Sequence, residues 1–467
     1  MKKPYFLVIA LFLSTLVLKA QNYTETQLKG ALLAERTCFD VGYYDLHLAI
    51  FPEKEKIKGY NEITFRVKST TNQILLDLFN NLQIDSVTFQ GKKIDFVRKY
   101  NSFFLNFPFP LQINEVHSVK VYYGGRPSVG VGVRKTDGFH WKKYNDKHLV
   151  GVSCEIAGAS LWIPCKEHLS DEADSVRLHW DVPIELECIS NGTLEKLENS
   201  KIKGYKTSSW FVRNPINTYN ITIYLGDYEH KTGAYRGIDS VKRKISIFFL
   251  RNKVNKETQK HHILIASHFV AFAEQTFGQY AFWDDKLAVV ETLYNGMEHQ
   301  SCVAVGSLSE KTVLWYPYGR QYNVHGTLIH ELAHEWWGNA VSSADMGDMW
   351  LHEGFATYTE YLFLEYMLND NKIASNYFSR NCNSFQVLAD RYVYASEVFG
   401  INRIYQGGAC FLHKLRKAIA NDKIFFDILA TYYQQNKKKI VLTEDFIKVV
   451  NEKTNQNWEK FFWKNLK

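Results

Sequence analysis

The sequence has little proline and glycine and no repeat of fixed period. Only 9 of its 467 residues are proline and 27 are glycine, so no long flexible linker is expected. Hydrophobic residues make up 46% and charged residues 22%, close to the average of globular proteins. This composition excludes a wholly disordered chain, a collagen and a long coiled coil. The length suits about three domains, or two larger ones.

A strong excess of basic charge is also missing. The 56 basic and 49 acidic residues give a net charge of +7, which is mild for this length. Nucleic-acid-binding domains carry clustered basic patches. The one basic run of note, Lys437-Lys438-Lys439, is interpreted as a solvated turn. The sequence therefore predicts no nucleic-acid partner.

Long apolar runs are absent apart from one at the start of the chain. Residues 5–18 form a mainly apolar stretch between Lys2-Lys3 and Lys19, and Ala20 follows. The stretch is shorter than the ~20 residues that span a bilayer, and its pattern is typical of a secretory signal peptide. We predict a signal peptide over residues 1–20, with an uncleaved anchor as the alternative. Export to the periplasm or the extracellular space follows, with no stable membrane insertion after cleavage.

Cysteine is sparse, and its count is odd. The seven cysteines include no CxxC pair, which makes a disulfide scaffold a poor interpretation. Export permits disulfides, but the sequence assigns no pairing. Most of the cysteines are predicted to be small buried hydrophobic residues.

The pattern of apolar residues changes near residue 235. Before it, apolar positions alternate with polar ones, as at Ile63, Phe65 and Val67, which predicts antiparallel strands. After it come two further short strands, at 244–250 and 287–290. Helical patterns follow over 257–277, 324–337, 351–368, 408–420 and 424–435, with one more beginning at the expected N-cap Thr443. We predict an α+β protein with a β-rich domain over 21–235 and a mainly helical domain over 236–467.

One predicted helix carries a metal-binding pattern, His330-Glu331-Leu332-Ala333-His334. Four residues of helix advance about 400°, so the two histidines lie one turn apart on the same face. Such a pair can bind one zinc ion, with the glutamate beside the metal.

Glu353 follows His334 by 19 positions, at the start of the next predicted helix. Two histidines and one glutamate leave a fourth zinc position open for water, as in a catalytic site. Glu331 can take the proton of that water and hand it on.

The pattern of His330, Glu331, His334 and Glu353, with Trp-Trp-Gly-Asn after the second histidine, resembles the gluzincin zinc aminopeptidases of the alanyl aminopeptidase and leukotriene hydrolase type. The resemblance covers residues 38–465. It implies one zinc ion per chain, held by both histidines and Glu353, and Glu331 as the general base. It also implies a saddle-shaped, β-sandwich-like N-terminal domain and a thermolysin-like catalytic domain. Many members carry a further helical domain, which we do not expect in this sequence. We therefore expect a cleft that is either more open or covered by a partner or by a second copy of the chain.

A second motif of the family lies before the zinc helix, as Gly296-Met297-Glu298. The resemblance implies that Glu298 binds the free α-ammonium group of a peptide. Gly296 and Met297 would lend backbone groups to the extended peptide by strand addition. Asn295 and His299 depart from the family pattern, which affects the loop conformation and its hydrogen bonds.

Two further residues follow from the same resemblance. Tyr405, in Ile-Tyr-Gln-Gly-Gly, would donate its hydroxyl group to the oxyanion of the reacting carbonyl. Glu155, in Ser-Cys-Glu-Ile-Ala, would be a second anchor for the α-ammonium, with an ordinary surface carboxylate as the alternative. If Glu155 and Glu298 converge, both domains build one site.

Four other polar residues lie near these motifs. Glu360 is either a partner of a metal-binding histidine or a structural carboxylate. His325 lies off the ligand face, His352 is expected to be structural, and the role of His299 stays open.

The leading hypothesis is an exported zinc aminopeptidase that acts on peptides with a free N-terminus. The alternatives are an endopeptidase, a zinc hydrolase of another small substrate, and a non-catalytic peptide-binding module.

Overall fold

The structure is a computed structural model that describes residues 23–131, 136–308, 324–382, 387–388, 390–391 and 402–467. The predicted signal peptide over residues 1–20 lies outside these ranges and stays a prediction. Among the described residues, no helix is both long enough and apolar enough to cross a membrane.

The first half of the chain is built from β-strands, as the alternating pattern predicts. Two short helices precede them, α1 (Glu25–Gly30) and α2 (Ala34–Thr37). The strands are β1 (Phe39–Phe51), β2 (Lys56–Val67), β3 (Thr71–Asp77), β4 (Leu82–Phe89), β5 (Lys92–Ile94), β6 (Phe96–Lys99), β7 (Ser102–Leu111), β8 (Val116–Gly125), β9 (Gly138–Tyr144), β10 (Lys147–Ser153), β11 (Ser175–Pro183), β12 (Glu187–Ser190), β13 (Thr193–Asn199), β14 (Tyr205–Val212) and β15 (Ile223–Gly226).

These strands form three open sheets with the orders β13-β14-β11-β1-β2-β8-β4-β5, β12-β15-β10-β9 and β3-β7-β6. Strand β1 pairs antiparallel with β2 and parallel with β11. The predicted inward face of β2 is confirmed, because Ile63, Phe65 and Val67 are buried. One side of the large sheet therefore packs on the core, and the other meets solvent.

The second half begins with a five-stranded sheet. Its strands are β16 (Tyr228–Arg236), β17 (Lys242–Leu250), β18 (Leu287–Thr292), β19 (Gly296–Met297) and β20 (Cys302–Gly306), in the order β16-β17-β18-β20-β19. The two-residue strand β19 lies at the edge and pairs antiparallel with β20. The boundary predicted at residue 235 falls inside β16, which pairs with β17 and so belongs to this sheet.

The helices of the second half are α3 (Lys256–Thr276), α4 (Gly326–His334), α5 (Trp350–Leu368), α6 (Ile373–Asn381), α7 (Gly408–Ile419), α8 (Asp422–Asn436), α9 (Thr443–Thr454) and α10 (Glu459–Leu466). Between α4 and α9 lie the short strands β21 (Val341–Ser343) and β22 (Lys439–Val441), which pair in parallel. The prediction of a β-rich domain followed by a mainly helical one is confirmed.

Two details differ from the predictions. Helix α4 ends at His334, three residues before the predicted end, because the chain turns there and Gly338 adopts a φ of +120°. Thr443 is the first helical residue of α9, not its N-cap. Its hydroxyl group donates to Asp348 Oδ1 at 2.6 Å, so the side chain binds another segment rather than its own helix.

Two apolar cores meet across the five-stranded sheet. One face of this sheet packs on the helices, whereas Ala288, Val290, Met297 and Ala304 belong to the core of the β-rich half. The sheet edge that carries β19 therefore lies where the two halves of the chain join.

One disulfide joins Cys382, directly after α6, to Cys410 in α7. The other five cysteines are buried and unpaired, as predicted for most of them.

Candidate active site

The first element of the site is the pair of histidines on α4. His325 caps this helix by accepting a hydrogen bond from the Leu328 backbone N–H, and so lies outside the cluster, as expected. His330 Nε2 and His334 Nε2 are 3.1 Å apart, which confirms that the spacing places them on one face.

Glu353 joins them from the first turn of α5. Its Oε2 atom is 3.1 Å from His330 Nε2 and 3.3 Å from His334 Nε2. Helix α5 is buried along most of its length, from Trp350 to Glu365, so the carboxylate is fixed by a helix that is enclosed on all sides.

The other ring nitrogens of the two histidines have fixed partners. His334 Nδ1 lies 3.0 Å from the Trp337 carbonyl oxygen, which can only accept. His330 Nδ1 lies 2.8 Å from Glu360 Oε1, which resolves the open question about this carboxylate in favour of a partner role. Both Nδ1 atoms therefore donate, and the Nε2 lone pairs face each other and Glu353.

This donor set fits a zinc ion. Two imidazole lone pairs and a carboxylate oxygen at these separations repel one another unless a cation lies among them. Burial lowers the pKa of both histidines. The neighbouring Glu353 carboxylate outweighs this effect, so each pKa lies above its ordinary value, and Glu360 adds to the rise at His330. Imidazole nitrogen and carboxylate oxygen are the ligands of catalytic zinc.

Glu331 lies on α4 beside the cluster and packs against β19. A Cβ atom added to Gly296 would lie 2.1 Å from Glu331 Oε1, so only glycine leaves room for this carboxylate. Burial raises the pKa of Glu331 to about 8, although the neighbouring histidines oppose the shift.

Glu298 follows β19 and is almost fully buried. Its backbone carbonyl accepts a hydrogen bond of 2.7 Å from Asn339 Nδ2, and the Asn220 side-chain amide donates to Asn339 Oδ1. Tyr219 also contacts the Glu298 carboxylate, and its hydroxyl group lies 3.5 Å from His352 Nδ1. The loop is thus fixed from both halves of the chain.

Glu155 reaches the same place from the β-rich half. Burial raises its pKa well above the ordinary value, and the charges of Glu298 and Glu353 add to the shift. Among the described residues, neither Glu155 Oε1 nor Glu298 Oε1 has a hydrogen-bond partner. The structure therefore brings Glu155 and Glu298 together, whereas the sequence left open whether the two carboxylates meet.

Tyr405 lies in a π-helical turn, Asn402–Gly407, directly before α7. Its ring is nearly parallel to that of His330, with centroids 5.7 Å apart. Gly408 at the start of α7 touches Gly354 of α5, since a Cβ atom on either residue would lie 2.7 Å from the other Cα atom. This contact holds the turn beside the metal ligands.

His299 and His352 point into the protein. His299 is fully buried, and its Nδ1 atom lies 2.6 Å from the Tyr224 hydroxyl group. His352 Nε2 accepts a hydrogen bond from the Ser343 backbone N–H, in line with the expected structural role. The open question about His299 is thus resolved towards packing against the β-rich half.

Sequence reasoning missed Tyr219, Asn220 and Asn339. Asn339 stands in the Trp-Trp-Gly-Asn segment that contributed to the family resemblance, so a signal for it was present. Tyr219 and Asn220 carry no local signal, because their contacts depend on the packing of distant segments.

Two family models match the chain. The Peptidase M1 N-terminal domain matches residues 41–219, and the Peptidase family M1 domain matches residues 264–465. The fold is that of the M1 zinc metallopeptidases, and the donor set of the site fits a single zinc ion. The chain belongs to the M1 peptidase family.

Similar proteins include Probable aminopeptidase 2 of Sulfurisphaera tokodaii, 25% identical over 305 residues that cover 64% of this chain and 36% of that protein. Endoplasmic reticulum aminopeptidase 1 of Homo sapiens is 24% identical over 360 residues, 72% of this chain and 36% of that protein. The chain therefore spans little more than a third of the length of these curated relatives.

Solved structures show the same two-domain fold. The M1 zinc metallopeptidase from Deinococcus radiodurans superposes with a TM-score of 0.74 at 23% identity, over 92% of this chain and 93% of that one. A variant of that enzyme bound to a Tyr-Ser-Ala substrate gives a TM-score of 0.75 at 22% identity, over 92% and 94% of the two chains.

Proposed function

We propose that this protein is a zinc aminopeptidase that hydrolyses the first peptide bond of peptides with a free N-terminus. The observation that carries the proposal is the convergence of Glu155 and Glu298 beside the histidine–glutamate cluster, each with an unpartnered buried oxygen among the described residues. Buried carboxylates at such proximity need cations. A zinc ion accounts for Glu353, and the α-ammonium group of a peptide accounts for the other two.

The chain would hold zinc through His330, His334 and Glu353. When bound there, zinc acts as a Lewis acid towards the scissile carbonyl group and makes the attacking water more acidic. Glu360 and the Trp337 carbonyl group orient the two imidazole rings for this task.

The peptide would be held by the edge of the five-stranded sheet. Strand β19 is the last strand of that sheet, so an extended peptide can add along Gly296 and Met297. Glu155 and Glu298 then fix the ammonium group, which sets the first peptide bond opposite the metal ligands.

Glu331 would serve as the general base that takes a proton from the attacking water and passes it to the leaving amine. Tyr405 would donate its hydroxyl group to the oxyanion that develops on the carbonyl oxygen. The ring of Tyr405 beside that of His330 supports this role.

We further propose that the protein is exported to the periplasm or the extracellular space. The pattern of residues 1–20 supports this, and the disulfide between Cys382 and Cys410 is of a kind that persists in oxidising compartments.

The decisive experiment compares peptides with free and N-acetylated ends, for the wild type and Glu298→Gln. The wild type should release single residues from free peptides only. Loss of a buried charge pair costs about 2–4 kcal/mol, so the substitution should lower kcat/KM on free peptides by roughly 30- to 1000-fold.

Zinc content serves as the control and should be unchanged in the variant. Equal cleavage of free and acetylated peptides by the wild type would contradict the aminopeptidase proposal and favour an endopeptidase.

A further inference from the structure

A second group of metal-binding side chains lies on the β-rich half, away from the histidine–glutamate cluster. Asp45 and His47 stand on β1, and His179 stands on the neighbouring strand β11. Their side chains are 26%, 32% and 20% exposed, so the group is partly buried but can be reached from solvent. The proposed reaction does not use these residues.

The strand register explains why the three side chains meet. His47 and His179 are directly paired in the parallel ladder between β1 and β11. Asp45 precedes His47 by two residues and therefore points to the same face. Asp45 Oδ1 lies 2.9 Å from His47 Nε2 and 3.4 Å from His179 Nε2. One ligand atom from each residue lies within 4.8 Å of the other two.

Neighbouring side chains fix both rings. His179 Nδ1 lies 2.8 Å from the Ser209 hydroxyl group, which leaves Nε2 directed at Asp45. The His47 ring stacks on Tyr60 with centroids 4.4 Å apart, and on His179 with centroids 4.0 Å apart. Stacked imidazoles this close cannot both carry a proton charge without repulsion.

The carboxylate oxygen between the rings lies close to both imidazoles, which lower the pKa of Asp45. Asp45 Oδ1 is shielded from solvent and, among the described residues, makes no hydrogen bond of regular geometry. The cations at neighbouring register positions are engaged elsewhere, since Arg177 pairs with Glu195 and Lys120 pairs with Glu62. Asp45 Oδ1 and the Nε2 atoms of the two histidines point towards one another, as the ligands of a bound metal ion do.

We propose that Asp45, His47 and His179 form a second metal site, specific for divalent transition ions of the zinc, nickel and copper class. Two imidazoles and one carboxylate suit these ions better than magnesium or calcium, which prefer oxygen ligands. Water completes the coordination on the exposed side. The ion joins β1 to β11 and stabilises the folded chain by RT ln(1 + c/Kd), where c is the ion concentration, so stability rises with the logarithm of c above Kd.

The test counts bound metal on the full chain. Chelator-treated protein is dialysed against Zn²⁺, and its metal content is measured by mass spectrometry. The wild type should hold two equivalents, and His47→Asn and His179→Gln should each hold one. His117→Asn is the matched control and should hold two. His117 lies on strand β8 of the same sheet, 3.0 Å from Glu115, and among the described residues it belongs to no group of three metal-binding side chains.

Two further measurements separate this site from the proposed catalytic one. Glu353→Gln should lose the zinc ion of the catalytic site and keep the one at Asp45, His47 and His179. His47→Asn should lose the latter ion and still cleave peptides. Cu²⁺ bound to a variant with both His330→Gln and His334→Gln should show a paramagnetic resonance signal with two nitrogen ligands. Equal metal content in the wild type and His47→Asn would overturn the proposal and leave the catalytic site unaffected.

Discussion

At the scale of single residues, the packing of Gly296 against Glu331 shows how little room the site leaves. The Cβ atom that any other residue would carry falls 2.1 Å from Glu331 Oε1 and 2.7 Å from Thr327 Cγ2. The residue that would lend its backbone to the substrate thus also sets the position of the proposed general base.

Gly296→Ala should therefore displace Glu331 without removing any metal ligand. A displacement of about 1 Å from the reacting atoms costs roughly 100-fold in rate, so kcat should fall by that order while zinc content is retained. Gly42→Ala is a suitable control, since its Cβ would meet only Asp174 Oδ2, at 3.3 Å. Wild-type turnover in Gly296→Ala would show that the carboxylate position is not limiting.

Tyr405→Phe tests the proposed oxyanion donor. Removing one such donor costs about 100- to 1000-fold in kcat, and KM should hardly change because the interaction forms only in the transition state. Tyr377→Phe is the matched control, because Tyr377 contacts Gln406 in the same turn and is partly buried. An equal loss of kcat in Tyr377→Phe and Tyr405→Phe would assign the effect to packing, and an unchanged kcat in Tyr405→Phe would contradict the proposed oxyanion donor.

At the scale of elements, the disulfide between Cys382 and Cys410 restrains α7, the helix that follows Tyr405. Its two ends are 28 residues apart in sequence. Closing a loop of that length stabilises a protein by roughly 3–4 kcal/mol.

Reduction should therefore lower the Tm measured by circular dichroism, and Cys382→Ser should lower it to the same value. The variant should then be insensitive to reductant. A wild-type Tm that does not change on reduction would show that the bond contributes nothing to the global transition.

The elements also show what the sequence could predict. Helices α5 and α7 match their predicted ranges to within one residue at each end, because apolar periodicity is local. The pair of histidines on one face of α4 was predicted for the same reason. The contacts of Tyr219 with Glu298 and of Asn220 with Asn339 were not, since they join segments more than seventy residues apart and depend on packing between the two halves.

At the scale of the whole molecule, the β-rich half completes both the core and the site. Ala288, Val290 and Ala304 of the five-stranded sheet pack into the core of the β-rich half, and Glu155 reaches the cluster from there. Neither half buries its apolar surface alone.

A chain of residues 228–467 should therefore expose one face of its first sheet. We expect it to bind a hydrophobic dye and to aggregate, whereas the full chain does neither. Adding residues 23–227 as a separate chain should reduce dye binding if the two halves reassociate. A soluble, dye-free and active fragment would contradict the shared core.

The contact between Gly354 and Gly408 has a consequence for how such a site can be redesigned. Glu353 is adjacent to one glycine, and Tyr405 lies three residues before the other, so two backbones in direct contact set the spacing between ligand and hydroxyl donor. Substitutions elsewhere in the cleft can thus alter which peptide is accepted while the reactive groups keep their separation, whereas a methyl group at either glycine would force them apart.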